Sequence, residues 1–217
     1  MHSTRGTHEI EVVEGWAAAT LAAARRPQVM LALWHRLGPS GLSEWLDDLP
    51  PASVPDGRVL IRIPQARDAL ATMFDAAGTP VCVRRQQVIA DMAGLVRRFA
   101  AVAGTDCVDI RLDRIQDDAC WRFHRDSVRL RLLTAYRGPG TQWVPARHSR
   151  WAINRQRGYG GLIFQMPRFS VGLFKGSAAS NETGVVHRSP PIWGSGTTRL
   201  VMCLNLPSMA SPPPWTG

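Results

Sequence analysis

The stretch CWRFHRDSVRLRLLTAYRGPGTQWV, Cys120 to Val144, decides how this chain of 217 residues is read. It holds the triplet His124-Arg125-Asp126, followed by an alternating apolar run. Successive side chains of an extended chain point to opposite faces, so His124 and Asp126 share one face. A neutral imidazole and a carboxylate so placed offer two ligands to one metal ion and need a third. Six His and 12 Asp in this length would give roughly 0.3 such triplets by chance. The triplet therefore means little until the third ligand is found.

Three histidines lie beyond residue 120: His124, His148 and His187. His187 sits in GVVHRSPPIWGSGTTRLVMCLNL, 61 residues after Asp126, and Arg199 follows 12 residues later. Two His and one carboxylate on a β-scaffold form the facial ligand set of non-haem Fe(II) sites. The plain alternative is a surface His–Asp pair, with His187 a core histidine and Arg199 an ion-pair partner. His148 lies in PARHSRW, a basic, loop-like stretch, and reads as solvated or substrate-facing. His2, His8 and His35 have no partner pattern. Ser189 lacks a nucleophile motif such as GxSxG.

The length favours one domain with an elaboration. Hydrophobic content of 45% allows a sizeable core. The formal charge is +9, and Lys175 is the lone lysine among 26 basic residues. Such a surface favours an acidic partner. No stacking-rich or basic-helix motif points to nucleic acid beyond that charge, so nucleic acid is the weaker expectation. Cys82, Cys107, Cys120 and Cys203 form no CxxC pair, which argues against a finger-type zinc site. With no signal-like leader and no membrane-length apolar run, the expected setting is soluble and cytoplasmic, with no membrane partner.

Residues 1–10 are polar and expected to fray. VVEGWAAATLAAARR, 12–26, predicts a helix stopped by Pro27. VMLALWHR, 29–36, is strand or buried helix. Ser40 would cap GLSEWLDDL. VLIRI, 59–63, predicts a strand and 64–78 a helix. VRRQQVIADMAGLVRRFAAVAG, 83–104, is the clearest helix, with Val88, Met92, Leu95, Phe99 and Val102 as a core stripe. From residue 106 the period changes to two. CVDIRLDRI and VRLRLLTAY alternate, the latter with Arg129 and Arg131 outward if Val128, Leu130 and Leu132 face in. GGLIFQM, FSVGLFKG, GVVH and TTRLVMCLNL follow at short intervals, which suits a sandwich or barrel.

Two segments, FHRDSVRLRLLTAYRGPGTQWV and FKGSAASNETGVVHRSPPIWGSGTTRLVMCLN, resemble the DUF1826 family, a bacterial group without established function, and LALWHR fits the same family. More distantly, the motif order looks like the Fe(II)/2-oxoglutarate-dependent dioxygenase superfamily. That resemblance implies an α+β fold: a double-stranded β-helix (jelly-roll, cupin-like) core with packed N-terminal support helices. The divisions expected are 1–105, mainly helical; 106–207, the β-core; and 208–217, a disordered tail, all in one integrated domain. The resemblance also implies His124, Asp126 and His187 as catalytic iron ligands. Arg199 would anchor the 5-carboxylate of 2-oxoglutarate, and Tyr136 would donate a hydrogen bond to it. The implied activity is hydroxylation of an unknown substrate, coupled to decarboxylation of 2-oxoglutarate to succinate. The alternative is a non-oxidative metal-binding protein on the same scaffold, with zinc in place of iron and a link to zinc homeostasis. Lys175 would be a substrate contact or simply exposed.

Overall fold

The computed structural model describes residues 11–179 and 184–217. The expectation for residues 1–10 lies outside these. The strands are β1 (Glu11–Gly15), β2 (Val29–Trp34), β3 (Gly57–Arg62), β4 (Cys107–Ile115), β5 (Arg131–Arg137), β6 (Gln142–Trp143), β7 (Phe164–Gln165), β8 (Val171–Phe174), β9 (His187–Arg188) and β10 (Arg199–Asn205). The α-helices are α1 (Leu42–Asp48), α2 (Ala66–Ala76), α3 (Val83–Ala103) and α4 (Ser149–Arg155).

Seven strands form a large sheet in the order β1-β2-β8-β5-β10-β4-β3, antiparallel but for β1–β2. A small sheet runs β7-β6-β9, and His124 bridges to His187 at its β9 edge. From β4 onward the chain alternates between sheets: β4 large, His124 small, β5 large, β6 and β7 small, β8 large, β9 small, β10 large. That is the winding of a double-stranded β-helix, so the fold class is α+β with a jelly-roll core.

Two apolar layers explain the stacking. On one face of the large sheet, Val108, Ile110, Leu112, Leu132, Tyr136 and Met202 pack with Val88, Met92, Leu95 and Phe99 of α3. On the other, Leu133, Ala135, Val201 and Cys203 pack with Trp143 of the small sheet. The α3 stripe is thus core, and α3 lies outside the jelly roll. It ends at Gly104, whose φ of 69° is the left-handed stop that glycine adopts without strain.

Several expectations need correction. Residues 12–26 are not one helix: Val12 and Val13 pair with β2, and residues 18–25 form a 3-10 helix. An open strand edge beside β2 rewards β-branched residues more than helix propensity does. The division expected over 1–105 therefore supplies three strands to the core sheet as well as helices, and β2 resolves the ambiguous run at 29–36. α1 is preceded by Gly41 in the left-handed region, not capped by Ser40. PARHSRW is not a loop, because it enters α4. The tail 208–217 is docked: Pro214 bridges to Leu60, the Trp215 N–H donates to the Leu60 carbonyl at 2.8 Å, and the Ser211 hydroxyl donates to Asp109 at 2.6 Å. Among the described residues no helix is long and apolar enough to cross a membrane.

Candidate metal centre

His124 and His187 face each other across the small sheet. The His124 N–H donates to the His187 carbonyl at 3.0 Å, and the reverse bond is also 3.0 Å. This doubly bonded antiparallel pair sets both side chains on one face. Their rings lie 4.7 Å apart, and Phe174 backs the His187 ring at 5.0 Å. Asp126 completes the cluster. His187 Nε2 lies 3.3 Å from Asp126 Oδ2, and His124 Nε2 lies 3.6 Å from Asp126 Oδ1. One ligand atom from each of the three lies within 4.8 Å of the others.

The donor set fits a divalent ion. His124 Nδ1 is 2.8 Å from the Arg122 carbonyl, and His187 Nδ1 is 3.0 Å from the Val185 carbonyl. A carbonyl only accepts, so both Nδ1 atoms carry a proton; Nε2 of each ring faces Asp126, donating to it when the imidazole is protonated and offering a lone pair to a metal ion when it is neutral. Asp126 Oδ2 is buried and faces His187 Nε2 at 3.3 Å, with no other partner among the described residues. Burial would raise the Asp126 pKa. Hydrogen bonding to His124 and His187, with the charges of His187 and Arg131, outweighs it and holds the carboxyl well below the usual range. Hydrogen bonding to Asp126 likewise raises His124. The Asp126 carbonyl accepts from the Ser177 N–H at 2.8 Å, and a Cβ on Gly176 would collide with that carbonyl. Only glycine permits this approach.

A cavity of about 470 Å³ adjoins the cluster, and His124, His187, Arg131, Leu133, Val201 and Cys203 are among the residues that line it. Arg199 shares the strand face of Val201 and Cys203 and is 0% exposed. Its Nε donates to the Pro139 carbonyl at 2.8 Å, while Nη1 and Nη2 are buried without partners among the described residues. Burial pushes the guanidinium down to about 10, so it remains charged at neutral pH. Unpaired buried charge is costly, and two orphaned guanidinium donors call for a planar anion.

Two sequence expectations fail here. Tyr136 lies on the helix side of the large sheet, where its hydroxyl donates to Asp91 at 2.6 Å, and Asp91 also pairs with Arg36. Arg131 is not outward. It donates through Nη1 to Asp126 and through Nε to Asn205 at 2.8 Å. The chain changes sheets between Asp126 and Arg131, so parity cannot be carried across. No local signal marked Arg131. His148 is no ligand: its Nδ1 pairs with the Tyr159 hydroxyl at 2.7 Å. The Lys175 ammonium donates to the Arg26 and Pro27 carbonyls.

Fold and site together define a jelly-roll protein with a His-Asp-His cluster able to hold a metal ion. The chain belongs to the family described as "Protein of unknown function (DUF1826)", whose model matches residues 16–205. No curated protein matches the chain. Among solved structures, it is similar to the dioxygenase for auxin oxidation 1 of Arabidopsis thaliana, described as a 2-oxoglutarate complex (12% identity, 94% of this chain and 96% of that one, TM-score 0.46). It is also similar to the Kdo hydroxylase KdoO, described as a non-heme Fe(II) alphaketoglutarate-dependent dioxygenase (11%, 90% and 88%, TM-score 0.47). A third is AviO1 of Streptomyces viridochromogenes (14%, 93% and 99%, TM-score 0.40).

Proposed function

We propose that this protein is an Fe(II)/2-oxoglutarate-dependent dioxygenase, a hydroxylase in reaction type. The observation that carries this reading is the buried Arg199 guanidinium with two free donors, on the strand face that also lines the cavity beside His124, Asp126 and His187. A metal store has no use for a buried cation whose two terminal nitrogens are left without partners on that face.

His124, Asp126 and His187 would hold the ion through two neutral nitrogens and one anionic oxygen, a donor set that leaves room for a cosubstrate. Bound Fe(II) with 2-oxoglutarate and O2 supplies the oxidising power, with succinate and CO2 as co-products. Arg199 orients the cosubstrate by bidentate pairing with its 5-carboxylate. Leu133 and Val201 add apolar surface to a cavity wall that is otherwise largely polar. The Nδ1 bonds of both histidines keep their rings from turning.

The test is anaerobic reconstitution with Fe(II) and 2-oxoglutarate. A weak visible charge-transfer band, and succinate formation once air is admitted, are expected. Metal binding with no response to 2-oxoglutarate would favour the non-oxidative, zinc-type reading instead.

A further inference from the structure

The basic charge of this chain is unevenly placed. Residues 1–126 carry 15 basic and 16 acidic side chains, whereas residues 127–217 carry 11 basic and one acidic, Glu182. Several of these cations are committed to structure: Arg131 to Asp126, Arg137 and Arg168 to Asp47, and Arg199 within the core. Exposed Arg147, Arg150, Arg155 and Arg157 all lie in the segment between β6 and β7. Among the described residues, Arg147, Arg150 and Arg155 have no carboxylate within ion-pair distance.

That segment is fastened to the metal site. Gln156 accepts from the Phe123 N–H at 2.8 Å and donates to the Phe123 carbonyl at 3.0 Å, one residue before His124. Beside it, the Arg157 guanidinium lies over the Trp121 ring at 4.4 Å, with Arg122 also over that ring at 5.4 Å. Asp118 ties the group to the next loop: its Oδ2 is 3.6 Å from Arg157, and its Oδ1 accepts from the Trp193 N–H at 2.9 Å. Trp193 is 77% exposed and Trp151 on α4 is 44% exposed. Ala119, Cys120 and Ser189, adjoining these elements, line the cavity. Trp121, Arg122, Arg157 and Trp193 thus gather into one rim beside the cavity, and α4, which carries Arg150, Trp151 and Arg155, is fastened to the same group through Gln156.

We propose that this rim is a docking surface for single-stranded nucleic acid. Guanidinium groups without carboxylate partners suit phosphates. Exposed indole faces suit unpaired bases, which a duplex keeps stacked internally. α4 is too short to read a groove, and the rim has no continuous apolar helix face to lie in a bilayer. The surface is separate from the metal ligands, so binding holds with or without metal.

The test is fluorescence anisotropy of a labelled oligo(dT) of about 20 nucleotides, titrated with the full chain at about 50 and 200 mM salt. Duplex of equal length and phosphatidylserine vesicles serve as competitors. Expected are binding that weakens with salt, and competition by duplex and vesicles at least about tenfold poorer than by unlabelled strand. Arg150→Glu with Arg155→Glu should weaken binding about tenfold or more and reduce the salt slope by about 1 to 2. Trp193→Ala should weaken binding and leave the slope unchanged. Circular dichroism checks folding, and the milder Arg150→Gln/Arg155→Gln pair replaces the reversal if it perturbs the fold. Absence of binding at low salt would overturn the proposal. So would equal competition by duplex or vesicles, or unchanged affinity in the folded variants.

Discussion

Arg131 Nη1 donates to Oδ1 of Asp126, and its Nε donates to Asn205 at 2.8 Å. The guanidinium is thereby braced at two points. It occupies one carboxylate oxygen and leaves Oδ2 for a metal. Replacing Arg131 by Met should weaken divalent-metal affinity about 10- to 100-fold, the usual cost of losing an outer-shell partner. Competition against a chromogenic chelator measures this. Unchanged affinity would reduce Arg131 to a packing role.

Arg199 makes two predictions of opposite sign. Arg199→Met should weaken 2-oxoglutarate binding by about 2–4 kcal/mol, as for truncating one side of a buried charged pair. The same change removes an uncompensated buried cation, so the ligand-free variant should melt at a higher Tm than wild type. Calorimetry with 2-oxoglutarate and an inert divalent ion, plus thermal melts, reads both. A destabilised variant that binds 2-oxoglutarate normally would contradict the assignment.

Tyr136 should behave as a structural residue. Its hydroxyl is fully buried against Asp91, so Tyr136→Phe should cost about 1.5–3 kcal/mol of stability. The affinity for 2-oxoglutarate should not move. A selective loss of cosubstrate binding, with stability intact, would restore Tyr136 to the site.

Stability should depend on pH in opposite ways with and without metal. The Asp126 pKa is depressed, so its contribution is present above the unfolded value of 3.8 and is lost only in acid. The His124 pKa is raised, chiefly by its hydrogen bond with Asp126. Its contribution is complete below 6.5 and fades as pH rises through the folded value. As pH rises above 6.5 the chelator-treated protein should therefore lose stability. Metal binding needs neutral imidazole and strengthens over the same window. Melting curves with chelator and with Mn(II) should diverge as pH rises, and parallel curves would count against the three-residue metal site.

The His124, Asp126 and His187 cluster was legible from sequence because its chemistry is local. His124 and Asp126 share a face by strand period alone, and His187 stands out as a histidine within a β-run. The α3 stripe and the strands from Cys107 onward were readable for the same reason: burial on one face imposes a period. Tertiary structure decided the rest. Both faces of the large sheet are covered, by helices on one side and the small sheet on the other. Alternation along β5 therefore marks two faces without saying which one meets the His124, Asp126 and His187 cluster. The crossing between sheets after Asp126 put Arg131 at the site and Tyr136 against α3. Only folding could close the 61 residues between Asp126 and His187 to 3.3 Å, or gather Trp121, Arg157 and Trp193 into one rim. Those contacts join segments distant in sequence, and periodicity holds no information about distance across the chain.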